Sequence, residues 1–103
     1  MESEKYLAID VGGTAIKYAV ANRSAEIYKI NEIKTRRDKQ ELFDSLDEII
    51  SSQINNIEGI ALSFPGKIDA EKGIAHTAGA FRWMSDLPIK SILEEKYAKP
   101  VWI

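Results

Sequence analysis

Apolar positions along the chain fall into short runs with two different periods. Tyr6-Leu7-Ala8-Ile9-Asp10-Val11 is a compact apolar run broken by one carboxylate, and it predicts a strand covered on both faces. Gly12-Gly13-Thr14 permits a tight turn. Beyond it Ile16, Tyr18 and Val20 alternate with Ala15, Lys17 and Ala19 at the strand period of two, so a hairpin follows and not a helix. Asn22-Arg23-Ser24 is a second turn, and residues 26–33 predict a third strand with a polar, exposed side. The period then changes. Asp38 and Glu41 have capping-box spacing, and Leu42, Phe43, Leu46, Ile49 and Ile50 recur on one helical face up to about Ser52.

Residues 57–64 predict the next strand, parallel to the first because the helix supplies the crossover, and Pro65-Gly66 ends it. Between residues 67 and 84, Gly73 and Gly79 separate short apolar stretches, which favours loops with a small hairpin. Asp86 or Leu87 before Pro88 opens a second helix with Ile89, Ile92, Leu93 and Tyr97 on one face, and Pro100-Val101-Trp102-Ile103 starts another buried strand. The order β-β-β-α-β, then α-β, specifies an α/β chain with a mixed sheet of the actin-like ATPase or ribonuclease H-like kind, truncated at its last strand. A doubly wound nucleotide fold needs a helix directly after its first strand.

Composition narrows the function classes. At 103 residues the chain is one domain, 1–103, expected to be incomplete, and its 45% hydrophobic content excludes a disordered segment. Fourteen basic against sixteen acidic residues, scattered in both signs, offer no attraction for a phosphate backbone, so no direct nucleic-acid partner is expected. The absence of Cys excludes disulfides and thiolate metal sites within these residues. No apolar run approaches a membrane span and the start, Met1-Glu2-Ser3-Glu4-Lys5, has no signal-peptide core, so a cytoplasmic location without membrane contact is expected.

The candidate chemistry centres on Asp10-Val11-Gly12-Gly13-Thr14-Ala15-Ile16-Lys17. A carboxylate at the end of a central strand wants hydrogen bonds or a cation, and magnesium held through water fits it. Gly12 and Gly13 let backbone N–H groups approach phosphate oxygens, with the Thr14 hydroxyl and Lys17 ammonium as further donors. The stretch lacks the Gly-Lys-Ser/Thr ending of a Walker loop. The plainer reading is a hairpin turn in which Asp10 caps backbone N–H groups.

This stretch resembles the first phosphate motif of the ROK family, named for repressors, open reading frames and kinases. Three further stretches follow in the family's order: Gly59-Ile60-Ala61-Leu62-Ser63-Phe64-Pro65-Gly66-Lys67-Ile68-Asp69, Gly73-Ile74, and Pro100-Val101-Trp102-Ile103. The resemblance implies an ATP-dependent kinase that transfers the γ-phosphate to a sugar hydroxyl with magnesium and an aspartate base. It implies that Asp10 serves the metal, that Gly12, Gly13, Thr14 and Lys17 serve the nucleotide, and that Gly66, Lys67 and Gly79 lie along the sugar. Ala78-Gly79-Ala80-Phe81-Arg82-Trp83 departs from the family's commoner Asn-Leu version, so glucose, a glucoside or an N-acylated amino sugar would each be arguable.

Family kinases continue past the strand at Pro100 into an Asn-Asp pair carrying the base, and then into a His and Cys zinc site. The expectation is therefore an N-terminal fragment, inactive alone and without a catalytic residue of its own. Asp69 and Asp86 are not candidates for the base merely as carboxylates. The alternative is a binding or regulatory module that keeps the ATPase-like fold without phosphoryl transfer. His76, Trp83 and Trp102 read first as structural residues, with Trp83 able to stack on a sugar, and Arg36-Arg37 reads as a solvated turn. Truncation should leave apolar surface, so self-association is expected.

Overall fold

The computed structural model describes residues 4–77 and 79–103. Met1, Glu2 and Ser3 of the polar start, and Ala78 of the segment before Trp83, lie outside the described residues. Strands β1 (Lys5–Val11) and β2 (Ala15–Asn22) form the expected hairpin, antiparallel from Val11 opposite Ile16 to Lys5 opposite Asn22. Strand β3 (Asn31–Lys34) pairs antiparallel with β2, and helix α1 (Lys39–Gln53) then crosses to β4 (Gly59–Ser63), which runs parallel to β1. Strands β5 (Lys67–Asp69) and β6 (Ile74–Thr77) make a separate small hairpin. Helix α2 (Ile89–Tyr97) returns the chain to β7 (Val101–Trp102), parallel to β4. The five-stranded sheet has the order β3-β2-β1-β4-β7, the actin-like mixed sheet expected from the order of periods.

Register separates the two faces of this sheet. Leu7 lies beside Val20 and Ile60, Ile9 beside Tyr18 and Leu62, and Val11 beside Ile16, so these side chains share one face. Helices α1 and α2 supply the second layer of a single core through Leu42, Leu46, Ile49, Ile50, Ile89 and Leu93. Asp38 caps α1 by accepting the Glu41 N–H at 3.2 Å, which is half of the expected capping box; the Glu41 carboxylate faces Arg36 instead. The two helices are tied by the Tyr97 hydroxyl, which donates to Asp47 Oδ1 at 2.6 Å.

Two expectations are corrected. Strand β1 is covered on one face only: Ala8 and Asp10 are exposed while Leu7, Ile9 and Val11 are buried. An alanine is apolar in a sequence pattern but too small to demand burial, which is why the run read as two-sided. The third strand is also shorter than 26–33. Asn22 Oδ1 accepts the Ser24 and Glu26 N–H groups at 3.0 Å each, and Ala25 takes a positive φ of 63°. This side chain diverts the backbone from the ladder, leaving Ile27 one isolated bridge to Ala21 before β3 begins at Asn31.

Candidate functional site

Asp10 stands at the carboxyl end of β1, opposite Lys17 on β2 and beside Ser63 on β4, with the three side chains on the uncovered face. They close one end of a shallow concavity of about 360 Å³ whose floor includes Ala8, Ala19 and Ala61. Asp10 is exposed, so the cost of burying a lone carboxylate, anticipated from the sequence, does not arise. Among the described residues no group of three or more His, Asp or Glu side chains converges. A single exposed carboxylate fits magnesium that keeps most of its waters and leans on phosphate, and does not fit a cage built from protein alone.

The turn between β1 and β2 is glycine-rich for reasons of space. Positive φ occurs at Gly66 and Gly73, not at Gly12 or Gly13. A Cβ on Gly12 would lie 2.8 Å from Ala15 O, the same carbonyl that accepts the Gly12 N–H at 2.9 Å. A Cβ on Gly13 would lie 3.0 Å from Ala80 Cβ, because the loop after β6 passes directly over the turn. With the Gly12 N–H committed, the Gly13 and Thr14 N–H groups have no hydrogen-bond acceptor among the described residues. They lie between Asp10 and Lys17 along the chain.

The segment linking β3 to α1 grips the back of this turn. The Thr35 hydroxyl donates to Gly12 O at 2.8 Å, Arg37 Nε donates to Gly13 O at 3.0 Å, and the Thr35 N–H donates to Thr14 O at 2.9 Å. Sequence reasoning missed both residues. The sequence pattern reads Arg36-Arg37 as a solvated turn and assigns Thr35 no role. The one available signal was a threonine directly after a strand, a type able to bond backbone groups.

Gly66 and Lys67 follow β4 and open β5. Both are exposed, Gly66 has φ 98°, and the Lys67 N–H reaches Thr77 Oγ1 at 3.4 Å. Gly79 is exposed, with nothing within 4 Å of the position its Cβ would take. Thus Asp10, Gly12, Gly13, Thr14 and Lys17 cluster around one turn, and Ala80 carries the segment containing Gly79 to its edge. Asp69 and Asp86 have structural partners: Asp69 accepts the Lys72 N–H at 3.0 Å, and Asp86 lies 2.5 Å from His76 Nδ1. Trp83 is a packing residue. Its ring meets Phe81 and Phe43 at centroid distances of 6.0 and 6.5 Å, and its indole N–H donates to Arg37 O at 2.6 Å. Trp102 is half exposed on the other face, edge-on to Tyr6 and over Gly59.

Comparison with known proteins identifies the family of this fold. Residues 6–103 match the ROK family. The chain is 33% identical over 110 residues to the glucokinase of Halalkalibacterium halodurans, covering 98% of this chain and 33% of that one. It is 35% identical over 104 residues to the β-glucoside kinase of Klebsiella pneumoniae, covering 94% and 33%. Among solved structures, a Listeria monocytogenes protein described as a candidate N-acetylmannosamine kinase superposes with a TM-score of 0.88 at 28% identity, covering 96% of this chain and 34% of that one. The chain therefore spans about a third of the length of the relatives it matches. With nearly its whole length matched and relatives above 30% identity, the chain belongs to the ROK family and carries the N-terminal part of that family's actin-like fold.

Proposed function

We propose that this chain is the phosphate-holding part of an ATP-dependent sugar kinase. The observation that carries the reading is the pair of uncommitted N–H groups at Gly13 and Thr14, set on a turn with Asp10 before it and Lys17 after it. Backbone N–H groups in such a turn suit phosphate oxygens, and a lysine opposite the carboxylate balances the charge that a nucleotide brings. Asp10 orients magnesium through water, and Gly12 closes the turn so that Gly13 and Thr14 present their donors. Lys17 adds a contact from the uncovered face, and the Thr14 hydroxyl adds one from the turn itself. Gly66, Lys67 and Gly79 face the sugar, with Gly79 leaving room for it. When bound, magnesium-ATP would supply the phosphoryl group, and the metal would offset the charge of its phosphates.

Asp69 and Asp86 have structural partners, which speaks against either of them as the base. Transfer needs both substrates aligned in a closed site, so in this reading the chain alone binds nucleotide without transferring phosphate. Self-association at high concentration belongs to the same reading.

The test is magnesium-dependent nucleotide titration of the 103-residue chain followed by amide NMR, with an ADP-release assay on hexoses, glucosides and N-acylated amino sugars. Weak binding that perturbs residues 10–17, is lost in Asp10→Ala and gives no sugar-dependent turnover is the expected result. Turnover abolished by Asp10→Ala would show that the chain assembles a complete site. Nucleotide-independent behaviour throughout would instead support a binding module without phosphoryl transfer.

A further inference from the structure

The donors proposed to meet phosphate are not held by the turn that contains them. A peptide unit is planar and trans, so the C=O of one residue and the N–H of the next point in opposite directions and move together. Holding Gly12 O therefore aims the Gly13 N–H, and holding Gly13 O aims the Thr14 N–H. The first carbonyl is held by the Thr35 hydroxyl and the second by Arg37 Nε. Neither Gly12 nor Gly13 has a side chain to restrict its backbone, so without these contacts the two donors would sample many directions.

Arg37 is exposed and would hold its carbonyl loosely if nothing fixed its own main chain. Its carbonyl, however, accepts the Trp83 indole N–H at 2.6 Å. Trp83 is wedged against Phe43 of α1 and against the buried Phe81. The loop that bears Trp83 also bears Ala80, the residue in contact with Gly13. The loop after β6 thus reaches the phosphate-side turn twice, once by van der Waals contact and once through Arg37.

We propose that Arg37 is a positioning residue for the Gly13 and Thr14 donors, and that Trp83 fixes it so that the conformation of the sugar-side loop sets the aim of the phosphate-side turn. The inference rests on the proposed function for its ligand, but its geometric part concerns the free chain. It implies reciprocal coupling: a ligand that orders residues 79–83 tightens nucleotide binding, and nucleotide tightens that ligand by the same factor.

The experiment uses the 103-residue chain with Arg37→Met, Arg37→Gln and Trp83→Phe. Methionine removes the Nε donor. Glutamine places an uncharged N–H at the same distance from the backbone, so it separates hydrogen bonding from charge. Phenylalanine keeps a ring and removes the indole N–H. Without ligand, Arg37→Met and Trp83→Phe are expected to shift the Thr14 amide resonance, whereas Arg37→Gln keeps it near wild type. With magnesium and ATP, Arg37→Met is expected to weaken binding ~5- to 10-fold, as for loss of one exposed charge-assisted hydrogen bond, and Arg37→Gln to recover most of it. A Thr14 amide unmoved in both Arg37→Met and Trp83→Phe overturns the inference, whatever the nucleotide does. Equal weakening in Arg37→Gln and Arg37→Met also overturns it, because charge alone would then explain the effect. If Trp83→Phe does not fold, the Arg37 pair decides the question. Wild-type chain that ignores nucleotide defeats the proposed function but leaves the amide comparison intact.

Discussion

The two faces of the five-stranded sheet are built from the same strands and obey different rules. On the covered face Leu7, Ile9, Val11, Ile16, Ile60 and Val101 are each at most 2% exposed, locked between the sheet and the helices. On the other face the register sets Ala8 between Ala19 and Ala61, and Asp10 between Lys17 and Ser63. The first face is large and branched because it fills a core at interior density. Around Ala8 and Asp10 the second is small and partly charged. Small side chains stabilise little by burial, and what they provide is close approach to the strand ends where Asp10 and the glycine turn lie. Stability and candidate chemistry are thus divided by the pleat, residue by alternate residue.

The sharpest way to break this comparison is to empty the covered face. Ile60→Ala, at a fully buried position in β4, is expected to lower stability by about 2–5 kcal/mol in a urea melt, because the lost transfer energy adds to the cavity left behind. A loss below about 1 kcal/mol would mean the helices do not hold the face as described.

A smaller effect tests the layer that covers it. Tyr97 joins α2 to Asp47 on α1, and this hydrogen bond, followed by the charge of Lys96, holds the Asp47 carboxyl below its usual range. Burial, and then the same hydrogen bond, push the Tyr97 phenol above its usual value. A depressed acid contributes stability that is present above the ordinary aspartate pKa of about 4 and lost as pH falls through the lowered value. The raised phenol contributes below its ordinary pKa of about 10 and loses that contribution as pH rises through the raised value. Tyr97→Phe should therefore be less stable than wild type at neutral pH, with the gap narrowing in acid and at strongly alkaline pH. Thermal melts across that range check it, and a gap independent of pH would count against the contact.

The smallest expected effect lies on the uncovered face. Ala61→Ser adds one hydroxyl at an exposed position on the same strand as Ile60, and the melt should change by no more than about 0.5 kcal/mol. A larger loss would mean that this face is covered in solution.

Much of the fold could be read before any coordinates. The period of two after Thr14 specified the hairpin, the period of 3.6 from Leu42 to Ile50 specified α1, and the helix between β1 and β4 required them to be parallel. The limits of that reading are equally physical. Residues 26–33 carry strand-like types, but the Asn22 side chain bonds the backbone there first, and no periodicity reports a side chain competing for N–H groups. At the site, the glycine turn and its flanking Asp10 and Lys17 were legible because turn chemistry is local in sequence.

What the sequence by itself determined is whatever depends on neighbours along the chain: the element types, the Asp38 cap, the turn and the order of strands. Only the tertiary structure decided which face of β1 is covered, since Ala8 and Leu7 differ in pattern only by size. Only it assigned the Gly12 N–H to Ala15 and the Gly12 and Gly13 carbonyls to Thr35 and Arg37. Those partners are 23 and 24 residues away, and Trp83 reaches Arg37 across 46. Contacts of that kind leave no periodicity, because they are made by folding the chain back on itself and not by the repeat of any element.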